Sequence, residues 1–469
     1  MRHSSFHPAT SVVLTLALGA CASVDPGPDY EQTEAVVSQA TGVPEMFQPG
    51  EEEQAAERVT ELMDGGLSAE EAVQVCLLNN REIQVLLFEI GVRRADAVQA
   101  GLLSNPSLGA LVRFPLGDGS TTTELGLVQN VAELWQLSPR KRLAESQLEQ
   151  AVFEVAHAAA GLAFEAKAAY FRATAAVAAL IAAEENRDTA NEFLELTLER
   201  QAAGAATQVD VNSAHSQALE QEAMYREARF VVFDTRRALA LLLNLAGPLD
   251  ALQLSDAISE APEWSVDLPH LIALAEQSRL DLRAAGKALD AAEHALKLEK
   301  RSVFRSLDAG LSFENDGGET QLGPVLEMEI PLFDQNQAQI AKAEFRRAQA
   351  LRRFEALGVQ VDLQVRGAYE QYALATDTAR LYAQELLPLR RSSLELARES
   401  FKEGKTGFLS VLEAQSSLLE ARRTYVGRLE AVAVSIPALE AACGRPLRDL
   451  LEPEAPPRAA SREVKVGER

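Results

Sequence analysis

Apolar residues follow a helical period along most of the chain and a strand period in one clear stretch. Most of the sequence is rich in Ala, Leu, Glu, Gln and Arg, with apolar residues in steps of three, four or seven, which is typical of helices packed as in a coiled coil. Between Ser306 and Asp334 the period is two, which predicts a strand pair. The alternating apolar positions are Leu307, Ala309, Leu311, Phe313, Leu326, Met328 and Ile330. The acids between them, Glu314, Glu327 and Glu329, share the opposite face.

An internal repeat divides the chain into two similar halves. Thr197–Tyr225 aligns with Ala397–Tyr425 at an offset of 200 residues, which pairs Gly204 with Gly404, and upstream segments align at 199. A unit of this length is too long for a solenoid repeat and predicts two copies of a domain-sized half. The predicted divisions are a signal peptide (1–20), a lipidated N-terminal segment (21–66), the first repeat (67–261), the second repeat (262–450) and a disordered tail (451–469).

Each repeat is predicted to contain a helix, a strand pair, a very long helix and a shorter returning helix. The ranges are 67–103, 108–115 with 124–131, 138–203 and 208–245 in the first repeat, and 268–305, 307–314 with 325–331, 336–402 and 408–442 in the second. The first long helix is expected to begin at Ser138 and Pro139, an N-cap residue followed by proline, and Pro388 is expected to bend the second. Helices of ~65 residues are ~98 Å long, so the simplest assembly is a rod with the strands at one end and the Gly204 and Gly404 turns at the other.

The charge of the chain limits the kinds of partner. The formal net charge is -24 and the sequence pI is about 4.8, which argues against nucleic acid because phosphate-binding surfaces need basic residues. The mature chain has no uninterrupted apolar run near the ~20 residues of a membrane helix. Any membrane contact must therefore be made in another way.

The N-terminus offers one such way. A basic start at Arg2 precedes the apolar run Val12 to Ala20, which is typical of a signal peptide. The run ends in Leu-Gly-Ala before Cys21, which resembles the lipobox of bacterial lipoproteins, where the thiol is acylated, for example with palmitate; the alternative is an ordinary signal peptide with a chance cysteine. Ala22, in place of an Asp retention signal, favours the outer membrane. Cys76 lies on an apolar helical face and is interpreted as a core residue.

The strand pairs have two possible environments. Strands of ~9 residues have the length that a transmembrane β-strand needs, and a barrel in lipid alternates apolar outward and polar inward residues. Leu311 and Phe313 would then face lipid, and Glu314, Glu327 and Glu329 would face the lumen. Because four strands cannot close a water-filled barrel, this chain would have to oligomerise. The alternative, a half-buried hairpin packed on a helix, has the same alternation.

The duplicated segments resemble the TolC-type outer-membrane efflux factors over about 67–450. The resemblance rests on Gly204, Thr207, Asp210, Val211 and Ala214, on their second copy Gly404, Val411, Leu412, Glu413, Ala414 and Gln415, and on "PLFDQNQAQIAKA" after a strand. It implies a mainly α homotrimer with four β-strands per protomer, in which three protomers form a twelve-stranded barrel and a helical tunnel. It also implies a periplasmic adaptor (membrane fusion) protein and an inner-membrane efflux pump of the resistance-nodulation-division type as partners, with the barrel in outer-membrane lipid.

The same resemblance assigns roles to residues at the two turns. The tips that contact the adaptor are expected at Gly204, Thr207, Gly404, Gly407 and Phe408. Matching from Gly404 places the periplasmic entrance at Ser410 and Glu413, with Asp210 on the first turn, and predicts one acidic ring from three copies of Glu413; the alternative is a solvated surface glutamate. The sequence departs from the family at Thr406-Gly407-Phe408 and in the first strand pair, which leaves the adaptor contacts open.

The expected function is the outer-membrane channel of a tripartite efflux system. The alternative is a lipid-anchored periplasmic coiled-coil scaffold without channel activity. An enzyme is not expected, since the sequence has no nucleophile elbow, phosphate loop or metal cluster, and no cofactor or metal site is predicted. The "IPLFDQNQAQIAKAE" segment resembles cobalt-zinc-cadmium efflux channels, while metal cations, drugs and exported proteins all stay open as cargo.

Overall fold

The computed structural model describes residues 23–117, 119–258 and 267–451. The predicted signal peptide, Cys21 and the tail after Leu451 lie outside the described residues. The described helices are α1 (Gly27–Thr41), α2 (Glu52–Leu62), α3 (Ala69–Asn79), α4 (Arg81–Ala100), α5 (Glu133–Ala202), α6 (Gln208–Leu242), α7 (Leu268–Ser278), α8 (Leu280–Arg301), α9 (Gln337–Leu381), α10 (Leu387–Lys402), α11 (Phe408–Cys443) and α12 (Leu447–Leu451). The strands are β1 (Ser107–Arg113), β2 (Thr122–Asn130), β3 (Leu307–Asp316) and β4 (Glu319–Met328).

The long helix of the first repeat is a single element, but its predicted start is wrong. Helix α5 has 70 residues and begins at Glu133, so Pro139 lies inside it. Proline lacks the N–H that would bond the carbonyl four residues earlier. That carbonyl, on Trp135, instead accepts a hydrogen bond from the guanidinium of Arg301 at 3.0 Å. A distant side chain thus satisfies the group that the proline leaves without a helical partner.

The buried face of α5 follows the predicted seam. Leu148, Val152, Val155, Ala166, Ala169 and Ala173 are all buried, and Leu162 is partly exposed. Small alanine side chains allow neighbouring helices to approach closely. By length and composition alone, α5 also passes as a candidate membrane span, with 39% of its most apolar 18-residue stretch buried. A core helix has the same composition.

The single helix predicted at the start of each repeat is interrupted. The chain has α3 and α4 with Asn80 between them in the first repeat, and α7 and α8 with Arg279 between them in the second. Asn80 and Arg279 have ψ values of 120° and 121°, so each leaves the helical region for one residue. Helices α1 and α2 form in a segment for which no secondary structure was predicted.

The long helix of the second repeat, which Pro388 was predicted to bend, is interrupted just before this proline. Helix α9 gives way to a π-helical turn, Tyr382–Leu386, and α10 then carries Pro388 in its first turn. A π turn bonds residues five apart, and such turns are a recognised cause of helix bending. The first repeat has no corresponding interruption, since α5 is continuous.

The four strands form one antiparallel sheet in the order β1-β2-β3-β4. The β3–β4 turn is tighter than predicted, so β4 begins at Glu319 and ends at Met328 rather than spanning 325–331. Asp316 pairs with Glu319, and the two residues between them, Gly317 and Gly318, have φ values of 57° and 101°. Two successive positive φ angles are required by the commonest two-residue hairpin turn, and glycine adopts them without strain.

The chain divides into two compact units, and each unit contains parts of both repeats. Of the described residues, the first unit comprises those up to Thr33 and those within 86–155 and 281–357, and it includes the sheet. The second comprises the described residues within 34–85 and 156–280 and those from Gly358 to Leu451, and it includes both Gly turns. Matching segments of the two repeats therefore fold together, as expected when two copies of one plan share a core.

Candidate functional site

One face of the sheet is apolar in all four strands. The cross-strand register places these side chains together: Leu108, Ala110 and Val112 of β1, Leu125 and Leu127 of β2, Leu307, Ala309, Leu311 and Phe313 of β3, and Leu322, Leu326 and Met328 of β4. Several are strongly exposed, including Leu108 at 75% and Leu326 at 72%. No described element of the chain covers this face. An exposed apolar surface of this extent marks an interaction site.

The opposite face of the sheet carries most of its acidic residues, together with Arg113, which lies 3.6 Å from Glu124. Glu314 and Glu327, which were predicted to share a face, lie on it, and Glu329 follows directly after the end of β4. The register adds four acids that the sequence analysis did not single out: Glu124 lies opposite Glu314, Asp308 lies opposite Glu327, and Asp316 and Glu319 lie opposite each other beside the turn. Their position in the strand alternation was the available signal. Like charges directly opposite each other repel.

The sheet ends in two strands that each pair on one side only within the described chain. Strand β1 pairs with β2, and β4 pairs with β3. Pro324 lies in β4, and proline is tolerated in edge strands because it cannot donate a ladder hydrogen bond. An edge strand presents a row of unpaired N–H and C=O groups, which a further strand can complete.

The "PLFDQNQAQIAKA" segment forms a polar junction below the sheet. Asn336 is buried in the left-handed region, with φ of 62°, and its amide donates to the backbone carbonyl of Glu299 at 2.8 Å and to the Glu299 carboxylate at 2.7 Å. Its side-chain oxygen accepts from Arg305, which also pairs with Asp334 at 2.8 Å. Asparagine is among the few side chains that adopt this backbone region readily. The motif therefore holds the end of the sheet against α8.

Both long helices end in the same turn at the predicted tips. Gly204 and Gly404 have φ values of 73° and 72°. In each turn the glycine N–H bonds to the carbonyl three residues before it, and the next N–H bonds to the carbonyl five residues before it. This pair of bonds is the Schellman motif, which explains glycine at both positions.

The helices that follow the two tips begin differently. Thr207 caps α6 with a full capping box, because its hydroxyl accepts from the Asp210 N–H at 3.2 Å and the Asp210 carboxylate accepts from the Thr207 N–H at 2.8 Å. Gly407 precedes α11 and provides no side-chain cap. Asp210, predicted at the entrance, thus uses part of its carboxylate to cap the start of α6.

The remaining predicted tip and entrance residues lie on the first two turns of α11. Ser410 and Glu413 are exposed, so their side chains are available for contacts outside the protomer. Phe408 is half-buried and stacks on Phe193 with ring centroids 5.1 Å apart, while Phe401 meets it edge-on at 6.1 Å. Phe408 therefore belongs to an aromatic cluster within the protomer.

Two buried clamps hold the ends of the returning helices, and the sequence analysis did not find them. In the first repeat, the Asn80 amide donates to the Leu242 carbonyl at 2.8 Å and the Asn79 amide donates to the Leu243 carbonyl at 2.8 Å. In the second, the corresponding Arg279 donates to the Ala441 and Ala442 carbonyls at 3.2 Å. These clamps satisfy C-terminal carbonyls that a helix leaves free, and they explain the single non-helical residue between the paired short helices.

A buried ion pair adds a further link in the second repeat. The Lys167 ammonium lies 2.7 and 2.8 Å from the two carboxylate oxygens of Glu440, whose side chain is 1% exposed. The Leu447 N–H also donates to this carboxylate at 2.8 Å. Matching the repeats at an offset of 200 places Ala240 at the equivalent position of α6. The ion pair is therefore a feature of one repeat only.

The two described cysteines are buried, free thiols. Burial raises the pKa of the Cys76 thiol to about 12, and burial likewise raises the pKa of Cys443 to about 12 against a smaller opposing effect of the Arg279 charge. Such thiols are unreactive because the thiolate is the nucleophile. Among the described residues, no group of three or more His, Cys, Asp or Glu side chains is placed to hold a metal ion.

Comparison with known proteins gives a consistent result. A family model described as "Outer membrane efflux protein" matches residues 271–445. The cobalt-zinc-cadmium resistance protein CzcC of Cupriavidus metallidurans is 26% identical over 371 residues, which cover 78% of this chain and 87% of that protein. The outer membrane protein OprJ of Pseudomonas aeruginosa is 26% identical over 462 residues, covering 89% of this chain and 91% of that protein.

Solved structures share the fold at lower sequence identity. A crystal structure of CusC has a TM-score of 0.68 at 19% identity and covers 80% of this chain and 91% of its own. The open state of the Neisseria gonorrhoeae MtrE outer membrane channel has a TM-score of 0.64 at 18% identity and covers 80% and 88%. The predicted fold, mainly helical with four strands per protomer, is confirmed.

Proposed function

We propose that this chain is a member of the outer membrane efflux protein family and the outer-membrane channel component of an efflux system. It works as a homotrimer that joins a periplasmic adaptor and an inner-membrane pump to the cell exterior. The pump is proposed to be of the resistance-nodulation-division type. In this arrangement the pump selects the cargo. The relatives' names include both cobalt-zinc-cadmium resistance and antibiotic efflux, so cations and drugs are the two cargo classes to test.

The observation that carries the proposal is the sheet with one exposed apolar face and one acidic face. In a bilayer the apolar face would contact lipid, and the acidic face would line a watery lumen, which is the arrangement of a transmembrane barrel. The strands have 7 to 10 residues, close to the ~9–11 that span the hydrocarbon layer when tilted.

The open edges of the sheet support a homotrimer. Backbone groups in hydrocarbon must all be hydrogen-bonded, so a membrane-spanning sheet has to close on itself. Joining β4 of one protomer to β1 of the next would close a twelve-stranded barrel from three copies. A lipid-anchored scaffold without channel activity would leave the apolar face of the sheet without a function.

A lipid anchor on Cys21 is part of the proposal. Asp29 lies eight positions after Cys21, a distance of at most ~28 Å for an extended chain. Asp29 is fixed to α4, because its buried carboxylate forms a two-contact ion pair with Arg94, with Nε 2.6 Å from Oδ2. Mass spectrometry of the mature N-terminus tests the anchor: acylated Cys21 is expected, and an unmodified chain that begins elsewhere would disprove it.

The channel itself is tested by charge substitutions on the two faces of the sheet. Leu311→Arg places a cation on the apolar face, where it costs about 2–4 kcal/mol at the bilayer midplane. Glu327→Arg places the same cation on the acidic face. We expect Leu311→Arg to reduce the yield of detergent-extracted trimer and of planar-bilayer conductance strongly, and Glu327→Arg to keep both. Equal tolerance of the two variants would reject the barrel.

The entrance proposal rests on the exposed Glu413. Three copies near a three-fold axis would repel each other and attract cations, as acidic rings do in ion channels. We expect Glu413→Lys to lower cation preference and to weaken block by divalent cations added from the periplasmic side. Glu420, also exposed on α11 and two turns further from the tip, is the matched control. If both substitutions leave selectivity unchanged, the entrance lies elsewhere.

A further inference from the structure

A cavity of about 330 Å³ lies beside the second tip, between the end of α5 and the helices α10 and α11. We call it the tip cavity. Its apolar lining comprises the rings of Phe193, Phe401 and Phe408 and the side chains of Leu196 and Val411. This volume is at the lower end of the range for small-molecule sites, which combine an apolar lining with a few polar groups.

Three cationic side chains also line the tip cavity. They are Arg200, Arg398 and Lys402, and Glu192 is the one acid that lines the cavity with them. None of the three cations forms an ion pair with a carboxylate in the described part of the chain. In a protein with a net charge of -24, this concentration of unpaired positive charge favours an anionic occupant.

The Arg200 side chain has a buried hydrogen-bond donor with no acceptor. Its guanidinium carbon lies 4.3 Å from the centre of the Phe401 ring, and its Nε is buried without a hydrogen-bond partner. Within the described residues, its guanidinium donates one hydrogen bond, a long one of 3.5 Å to the Ala205 carbonyl. Buried arginine donors are normally satisfied, so an unsatisfied one that lines a cavity points to a missing acceptor.

A second arginine on α5 stacks on an aromatic ring and also has carboxylate partners. Arg187 lies 4.2 Å above the Tyr225 ring, and it also pairs with Asp188 at 2.7 Å and with Glu184 at 3.2 Å. The stack at Arg200 has the aromatic ring but no carboxylate. The group that is absent at Arg200 is therefore the one that an anionic ligand supplies.

We propose that the tip cavity binds an organic anion with one or two aromatic rings. Its carboxylate or sulfonate would accept hydrogen bonds from Arg200 and lie near Arg398 and Lys402, and its ring would pack among Phe193, Phe401 and Phe408. Because the lining comes from α5, α10 and α11, the occupant links the second hairpin to α5. This binding goes beyond the channel function and does not depend on it.

The test is isothermal titration of the full-length protein in maltoside micelles with 2-naphthoate, with a protein-free micelle blank. Saturable binding of one ligand per chain is expected, and neutral 2-naphthylmethanol should bind at least about tenfold more weakly, since a charge-assisted pair is lost. Arg200→Gln and Phe401→Ala should each weaken naphthoate binding by about tenfold or more. The exposed Lys402→Gln, which leaves the packing intact, should weaken it by about threefold.

Arg187→Gln is the matched control, because it removes an arginine–aromatic stack that lies outside the cavity. It should bind naphthoate as the unmodified protein does. A second readout is thermal: naphthoate should raise the unfolding midpoint of the unmodified protein and of Arg187→Gln but not of Arg200→Gln. Equal binding of the acid and the alcohol, or equal binding by Arg200→Gln and Arg187→Gln, would overturn the proposal.

One further outcome would replace the ligand with a protein. If naphthoate does not bind and Arg200→Gln abolishes capture of the purified adaptor, the cavity takes an acidic segment of the adaptor and the small-molecule proposal is wrong. Conductance in planar bilayers is measured on the same preparations. Failure of naphthoate binding with normal conductance therefore counts against the tip cavity alone and leaves the channel intact.

Discussion

The two repeats build the same hairpin and secure it with different chemistry. Both long helices end in a Schellman turn, at Gly204 and at Gly404. In the first repeat the long helix is continuous and the next helix starts at a capping box. In the second, a π turn interrupts the long helix, the next helix starts at an uncapped glycine, and an aromatic cluster packs beside it.

The C-terminal ends of the two returning helices, α6 and α11, are also held by different side chains. The first is clamped by neutral amides from Asn79 and Asn80, while the second is clamped by the charged Arg279 and further held by the Lys167–Glu440 ion pair. The second hairpin is therefore held by aromatic packing at its tip and by charged groups at its base. The comparison teaches that duplication preserved the backbone plan while each copy acquired different stabilising chemistry at the two ends of the hairpin.

The largest effect is expected from breaking the buried Lys167–Glu440 ion pair at the base of the second hairpin. Lys167→Met should destabilise the protein by about 3–5 kcal/mol, because it leaves the buried Glu440 carboxylate without its cation. Thermal unfolding of the variant checks this. The double variant Lys167→Met/Glu440→Gln removes the stranded charge and should recover much of the loss. If the double variant is no better than the single one, the ion pair does not carry the stability of this end.

The clamps should differ in strength between the repeats. Arg279→Met should reduce protection of the last turn of α11 by about 3 kcal/mol, since bonds to charged groups are worth more than neutral ones. Asn80→Ala should reduce protection of the last turn of α6 by about 1–2 kcal/mol, because Asn79 still caps that helix. Hydrogen exchange with mass spectrometry measures both ends in one experiment. Equal losses would mean that the charge adds nothing to the second clamp.

The buried thiol in each repeat should make the protein less stable at alkaline pH. Folded-state pKa values near 12 for Cys76 and Cys443 exceed the unfolded value of about 8.5. Their contribution to stability is complete below pH 8.5 and is lost as the pH rises toward 12, because the unfolded chain releases those protons first. At pH 10 the loss is about 2 kcal/mol per thiol.

Alanine substitution of each cysteine tests this pH dependence. Cys76→Ala and Cys443→Ala should each flatten the decline of the unfolding midpoint between pH 8 and pH 10, whatever their effect at neutral pH. The two should flatten it by similar amounts, since the two pKa values are similar. A decline as steep as that of the unmodified protein would show that the substituted thiol titrates normally in the folded state.

The smallest effects concern the helix starts at the two tips. Thr207→Ala removes the capping box and should cost about 1 kcal/mol, while Gly407→Ser supplies a missing cap and should gain a few tenths, about 0.3 kcal/mol. Exchange of the first-turn amides of α6 and α11 measures both. If Gly407→Ser slows exchange in α11 while Thr207→Ala speeds it in α6, the tips differ through capping. No change at either tip would place the difference in the aromatic cluster instead.

Much of the fold could be predicted because its signals are local. The period of two in β3 and β4 determines which residues share a face, and the register agrees with it for Leu311, Glu314 and Glu327. The glycines at both tips were recognisable because few other residues adopt positive φ without strain. The roles assigned to Glu413, Ser410 and Asp210 at an entrance stay predictions, since they concern contacts beyond one protomer.

The boundaries that were wrong depended on distant partners. Ser138 and Pro139 have the pattern of a helix start, yet α5 begins earlier because Arg301 satisfies the Trp135 carbonyl that the proline leaves free. No local sequence pattern marks the clamp residues. Asn80 donates to the Leu242 carbonyl 162 positions away, and Arg279 donates to the Ala442 carbonyl 163 positions away.

The sequence by itself determined the periodicity, the duplication, the two faces of the strands and the glycine turns, because each follows from backbone geometry within a few residues. Only the tertiary structure decided which groups meet: Lys167 with Glu440, Arg279 with the end of α11, and the unpaired Arg200 with the rings of the tip cavity. These contacts join residues far apart in the chain. Their pairing depends on how the helices pack, which local pattern does not specify.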